Sequence, residues 1–186
     1  MKRLFYLLFF LLFLYNSPQM ESQIYFGLGP SYMLPQTNFK EVNKETFGLN
    51  IQLESRVYCK LWYGLRFDYH SLVKVDEIVP EYFEEYILIS PQIRYNLFCA
   101  DSYSNRIIPY LQFLFNISSI KGTDERDRLG LGLSGGLGLS FGFELFNKCW
   151  LLDLNGIYAA PNAITRAEGR QNLQSINISL TLSIGL

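Results

Sequence analysis

The chain alternates apolar and polar residues with a period of two over most of its length. The last segment is the clearest. Ile176, Ile178, Leu180, Leu182, Ile184 and Leu186 fall on one face, with Ser175, Asn177, Ser179, Thr181, Ser183 and Gly185 on the other. Residues 129–143, LGLGLSGGLGLSFGF, keep the same beat, with leucines and phenylalanines set against glycines and serines. Successive side chains of a strand point to opposite faces, so both segments read as strands and neither as a helix. Six further segments repeat the pattern, centred on Leu28, Ile51, Leu65, Ile93, Phe113 and Leu152. The pattern therefore predicts eight strands, each near the ~9–11 residues that cross a bilayer at a tilt.

The two faces differ in kind. One is almost entirely Leu, Ile, Phe and Tyr. The other carries Asn50, Gln52, Glu54, Arg56, Arg66, Asp68, Arg94, Asn96, Asp153 and many small residues. The lumen of an eight-stranded barrel is narrow and just filled by side chains. It has no room for the large apolar set, so that face points outward, into lipid. A closed ring is then required, because hydrocarbon satisfies no open sheet edge. The expected fold is a closed eight-stranded antiparallel up-and-down transmembrane β-barrel.

The expected connections alternate in length: 35–46, 58–60, 72–81, 99–106, 118–128, 144–149 and 160–174. Outer-membrane barrels pair short periplasmic turns with longer external loops. Both termini are therefore expected in the periplasm. Aromatic residues recur near strand ends, as membrane interfaces favour. Phe26, Tyr63, Phe143 and Trp150 mark one end, and Tyr32, Phe47, Tyr69 and Tyr158 the other.

Export is legible at the start. Lys2 and Arg3 precede an apolar run over 4–15, of signal-peptide length and short for a spanning helix. We expect a signal peptide over 1–22 and a barrel over 23–186. Removing the leader moves the formal charge from −1 to −2. No basic surplus points to nucleic acid.

With these features the chain resembles the small eight-stranded outer-membrane barrels, the OmpA/OmpX-like porin-type family. That family usually closes on a strand ending in an aromatic residue, where this chain has Leu186. The resemblance implies an integral outer-membrane protein of the bacterial envelope with a structural or interaction role. A narrow channel and a lipid-modifying enzyme are the alternatives. Outer-membrane lipids and the assembly machinery are the expected partners. A monomer is expected, and no cofactor.

The glycine-lined wall has a reading of its own. In a ring of eight, strand 6 lies opposite strand 2, so long polar side chains reach across only if the far wall is small. Glu54, Arg56, Arg66, Asp68, Arg94 and Asp153 are the candidate luminal network, with Glu54, Arg66, Arg94 and Asp153 at similar depth. Their charges must pair, since an unpaired buried charge costs several kcal/mol.

Other motifs say little. GLGLSG at 130–135 matches G-x-G-x-x-G, but a strand continues where a helix is needed. The Asn-Ile-Ser sequons at 116 and 177 fall in expected strands. His70, the only histidine, shares a face with Asp68, while alternation points the adjacent Ser71 away. Asp76, Glu77, Glu81, Glu84 and Glu85 crowd one external connection, as a solvated face or a weak divalent-cation site. Cys59, Cys99 and Cys149 fall at periplasmic strand ends. The first two flank neighbouring strands and are the closest pair. A Cys59–Cys99 bridge and three free thiols both remain open.

Overall fold

The computed structural model describes residues 23–75, 83–99, 106–122, 127–164 and 173–186. The signal-peptide reading of 1–22 and the acidic residues Asp76, Glu77 and Glu81 lie outside the described residues. Eight strands form the body: β1 (Ile24–Gln36), β2 (Thr46–Arg56), β3 (Leu61–Ser71), β4 (Phe83–Asn96), β5 (Arg106–Gly122), β6 (Asp127–Leu145), β7 (Lys148–Ala160) and β8 (Gln174–Gly185). Each pairs antiparallel with its neighbours in sequence, and β1 pairs with β8 to close the barrel. Leu28 on β1, for example, sits opposite Ile51 on β2 and Leu182 on β8. Among the described residues no helix is long and apolar enough to cross a membrane.

The inside–outside assignment follows the sequence pattern on every strand. Leu180, Leu139, Leu154, Ile93 and Leu65 are exposed, while Ser179, Thr181, Asp153, Arg94 and Arg66 between them are buried. The start of β1, the end of β8 and the strand ends joined after β2, β4 and β6 lie at one end of the barrel, called here the terminal end. The strand ends joined after β1, β3, β5 and β7 lie at the other, the distal end.

Most expected connections shift by only one or two residues at each end, and three differ in a way that matters. Residues 118–122 and 127–128 belong to β5 and β6, not to a loop. Ser118 and Ile120 keep the alternating burial there, and the pairing runs on to Lys121 and Asp127. The 144–149 connection shrinks to Phe146 and Asn147, with φ of 54° and 57°. Two positive φ values match the type I′ hairpin turn, whose twist suits antiparallel strands. The 35–46 connection contains a short helix, α1 (Thr37–Val42). One turn is too short to be stable by propensity. It is held by burial of Phe39, whose ring packs near Phe83 and Tyr86 with centroids 5.8 and 6.1 Å away.

Asn43, just after α1, is fully buried and acts as a clasp. Its Nδ2 donates to the Phe83 carbonyl at 2.8 Å, and its Oδ1 accepts from the Phe83 N–H at 3.3 Å. The first distal connection is thereby tied to the start of β4.

Candidate functional site

The buried interior has three levels. At the terminal end Tyr25, Trp62, Ile108 and Leu151 form an apolar plug. At the distal end Met33, Phe39, Leu72, Phe83, Tyr86, Leu88, Ile120 and Leu173 form a second. Between them lies a polar layer supplied by all eight strands.

Arg94, on β4, lies against the terminal plug. Its Nη1 donates to Glu54 Oε2 at 3.2 Å and to Asp153 Oδ1 at 3.0 Å, and its Nε donates to Asn96 Oδ1 at 2.9 Å. Gln92 Nε2 holds the other Glu54 oxygen at 3.0 Å. Two aromatic rings flank the guanidinium. The Tyr110 ring centroid is 3.8 Å from Cζ and that of Trp62 is 4.9 Å away. Cation–π attraction of this kind strengthens when water is excluded.

Arg66, on β3, forms the second level. It grips Asp68 with two parallel bonds of 2.8 Å, from Nε to Oδ2 and from Nη2 to Oδ1. It also crosses the lumen to β7 and β8, donating to Asn155 Oδ1 at 3.0 Å and to Ser179 Oγ at 3.1 Å. Asn50 Nδ2 donates to Asp68 Oδ1 at 3.1 Å, and Thr181 Oγ1 donates to Asn50 Oδ1 at 2.8 Å. The bidentate geometry suits the planar guanidinium and is unavailable to lysine.

The candidate network thus divides into two clusters. Glu54, Arg94 and Asp153 form one, and Arg66 and Asp68 the other. Arg56 lies half-buried at the terminal end of β2, outside both. The glycine wall receives a particular ring. Tyr110 and Gly138 are register partners on β5 and β6, and a Cβ at Gly138 would collide with the Tyr110 ring. Sequence reasoning did not place Tyr110, Trp62, Tyr25 or Ile157 in the lumen. The signal was present: Trp62 has the parity of Arg66 and Asp68, and Tyr110 that of Gln112 and Asn116.

His70 is fully buried above the Arg66 level. Its Nε2 lies 3.3 Å from Ser31 Oγ, while Ser71 is exposed on the opposite face. Asp68 is already gripped by Arg66. Among the described residues no group of three or more His, Cys, Asp and Glu is placed to hold a metal ion. At the terminal end Cys59 and Cys99 form a disulfide with Cα atoms 5.3 Å apart, and Cys149 is free. The Tyr25 hydroxyl lies 3.5 Å from the Cys149 sulfur.

No protein family and no curated protein matches the chain by sequence. Solved structures do match in shape. Neisserial surface protein A (NspA) superposes with a TM-score of 0.61 over 88% of this chain and 97% of its own, at 15% identity. The chain has the fold of the small outer-membrane barrels. Ail, the attachment invasion locus protein of Yersinia pestis, solved with the heparin analogue sucrose octasulfate, matches with a TM-score of 0.55 at 12% identity, over 90% of this chain and all of its own. The outer membrane protein OprG from Pseudomonas aeruginosa gives 0.54 at 14% identity, over 88% of this chain and 93% of its own.

Proposed function

We propose that the protein is an integral outer-membrane barrel that carries no solute through its lumen and acts through the surface formed by its distal connections. The observation that supports this most is the filled interior. Arg94 is tied to carboxylates on β2 and β7, Arg66 is paired with Asp68 on its own strand and reaches across to Asn155 and Ser179, and an apolar plug lies at each end of them. The outward face, apolar on every strand, is matched to hydrocarbon.

Both termini then face the periplasm, with the distal connections outside. We read the protein as non-enzymatic. His70 is fully buried beside Tyr86, its register partner, and engages Ser31, away from the surface where a lipid substrate would arrive. A polyanion such as the one bound to Ail is a poor fit, because acidic residues outnumber basic ones in the distal connections.

Topology tests the reading. A tag placed at Thr123 in the β5–β6 connection should be labelled by a membrane-impermeant reagent on intact cells. A tag at the carboxyl terminus should be labelled only after the envelope is breached. The reverse pattern would overturn the orientation, and recovery in the soluble fraction would overturn membrane insertion.

A further inference from the structure

Helix α1 begins on an unfavourable backbone. Thr37, its first residue, has φ of 52°. The other non-glycine residues with positive φ among the described residues, Phe146 and Asn147, form the tight turn between β6 and β7, where such values belong. Thr37 opens a helix instead, and a β-branched side chain is crowded against its own backbone at positive φ. Gln36, the residue capping the helix, makes no side-chain hydrogen bond to its first turn.

The other end of α1 is latched. Asn43 holds both backbone groups of Phe83, and the Val75 N–H donates to the Val42 carbonyl at 3.2 Å. Between the two ends, Phe39 is buried in the distal plug. Around that plug two buried polar atoms, His70 Nδ1 and Asn177 Oδ1, have no hydrogen-bond partner among the described residues. Tyr86 links His70 to the lid, since its ring meets that of Phe39 and it is the register partner of His70. Asn177 stands opposite Met33 of the same plug. Buried polar groups without partners favour a state that admits water. Strain at Thr37 and these groups therefore favour a lifted α1, while Phe39 burial and the Asn43 latch favour the closed one.

We propose that α1 is a lid over the distal mouth of the barrel, strained at Thr37 and latched at Asn43, which lifts to open Tyr86 and His70 to solvent. Lifting breaks the Asn43–Phe83 bonds and withdraws Phe39 from the plug. The Arg66 and Arg94 levels and the terminal plug are untouched, so the lumen stays closed to solute. What changes is the face presented by the distal end, a two-state element of the kind that a ligand can bias. That this face lies outside the cell rests on the orientation proposed above, while the lid does not depend on it.

Thiol labelling of the full-length barrel in detergent micelles tests the lid, and orientation plays no part there. The reporter is Ser175→Cys in a Cys149→Ser background, because Ser175 is buried and stands opposite Pro35, two residues before Thr37. Ser140→Cys is the control, buried opposite Asp153 at the Arg94 level. Labelling follows the open population when opening is faster than the reaction. A cationic methanethiosulfonate reagent should label the reporter slowly. Asn43→Ala, which removes two hydrogen bonds, should speed this about tenfold. Thr37→Asn should slow it about fivefold, because asparagine tolerates positive φ far better than threonine. The control should stay unlabelled over the same time. Heat-modifiable gel mobility reports that each variant is folded, and Thr37→Asn, which tightens the lid, carries the test if Asn43→Ala does not fold. A single reporter rate in all folded variants, zero included, would overturn the proposal. So would labelling of the control as fast as the reporter, since the barrel would then be opening as a whole. An inverted orientation in cells would overturn the reading above and leave the lid standing.

Discussion

Arg94 sits over the Tyr110 ring, the guanidinium carbon 3.8 Å from the ring centroid, and the phenol end of that ring lies against Gly138. Three strands are linked in this contact: β4 supplies the charge, β5 the ring and β6 the space. A side chain at position 138 has nowhere to go unless Tyr110 moves off Arg94. Gly138→Val should therefore destabilise the barrel by about 1–3 kcal/mol, the usual range for overpacking. Adding Tyr110→Ala to Gly138→Val should recover part of that loss. Urea midpoints in lipid vesicles measure both, and two strictly additive losses would contradict the contact.

Arg94 balances Glu54 and Asp153 at once. Arg94→Ala should cost about 3–5 kcal/mol, because two buried carboxylates lose their partner. A double-mutant cycle on Glu54 and Arg94 should show strong coupling, and a cycle on Asp68 and Arg94 much less, since Asp68 is held by Arg66. Equal coupling in both cycles would mean one shared network in place of two clusters.

On the exterior, Leu180 and Leu139 are 44% and 48% exposed in the middle of their strands, which places them against hydrocarbon. Arg at either position should cost roughly 2–4 kcal/mol near mid-bilayer. Ser179→Thr, on the luminal face, should cost less than Leu180→Arg. An unchanged unfolding midpoint for Leu180→Arg would place that face away from lipid.

The fold was legible because its dominant constraint is a period of two, which survives any amount of loop variation. The two plugs were less so. Trp62 and Tyr25 are large and apolar, and composition alone assigns such residues to the lipid face. Only strict parity puts them inside. Helix α1 left no periodic signal, since a single turn cannot show one, and its stability comes from Phe39 reaching residues more than forty positions away. The pairing of Arg94 with Glu54 and Asp153, and the reach of Arg66 to Asn155 and Ser179, depend on depth and register around the ring. Strand patterns give the face of a residue, not the partner it meets across a lumen.

The cysteines test the strand order independently. Peptide mapping without reductant should recover Cys59 joined to Cys99, and Cys149 as an alkylated thiol. Replacing both bridged cysteines by serine should lower stability by about 2–4 kcal/mol for a loop of this length. A Cys59–Cys149 bridge within one chain would contradict the barrel order, because those residues belong to strands on opposite sides of the ring.

Buried side chains occupy the lumen from the terminal plug to the distal one. Conductance of the full-length barrel in a planar bilayer tests it most directly. The wild type should insert, as judged by heat-modifiable mobility of the same preparation, and show no steady single-channel current. A stable conductance from the inserted wild type, with ion selectivity altered by Asp153→Asn, would contradict the account and make the luminal charges the lining of a pore.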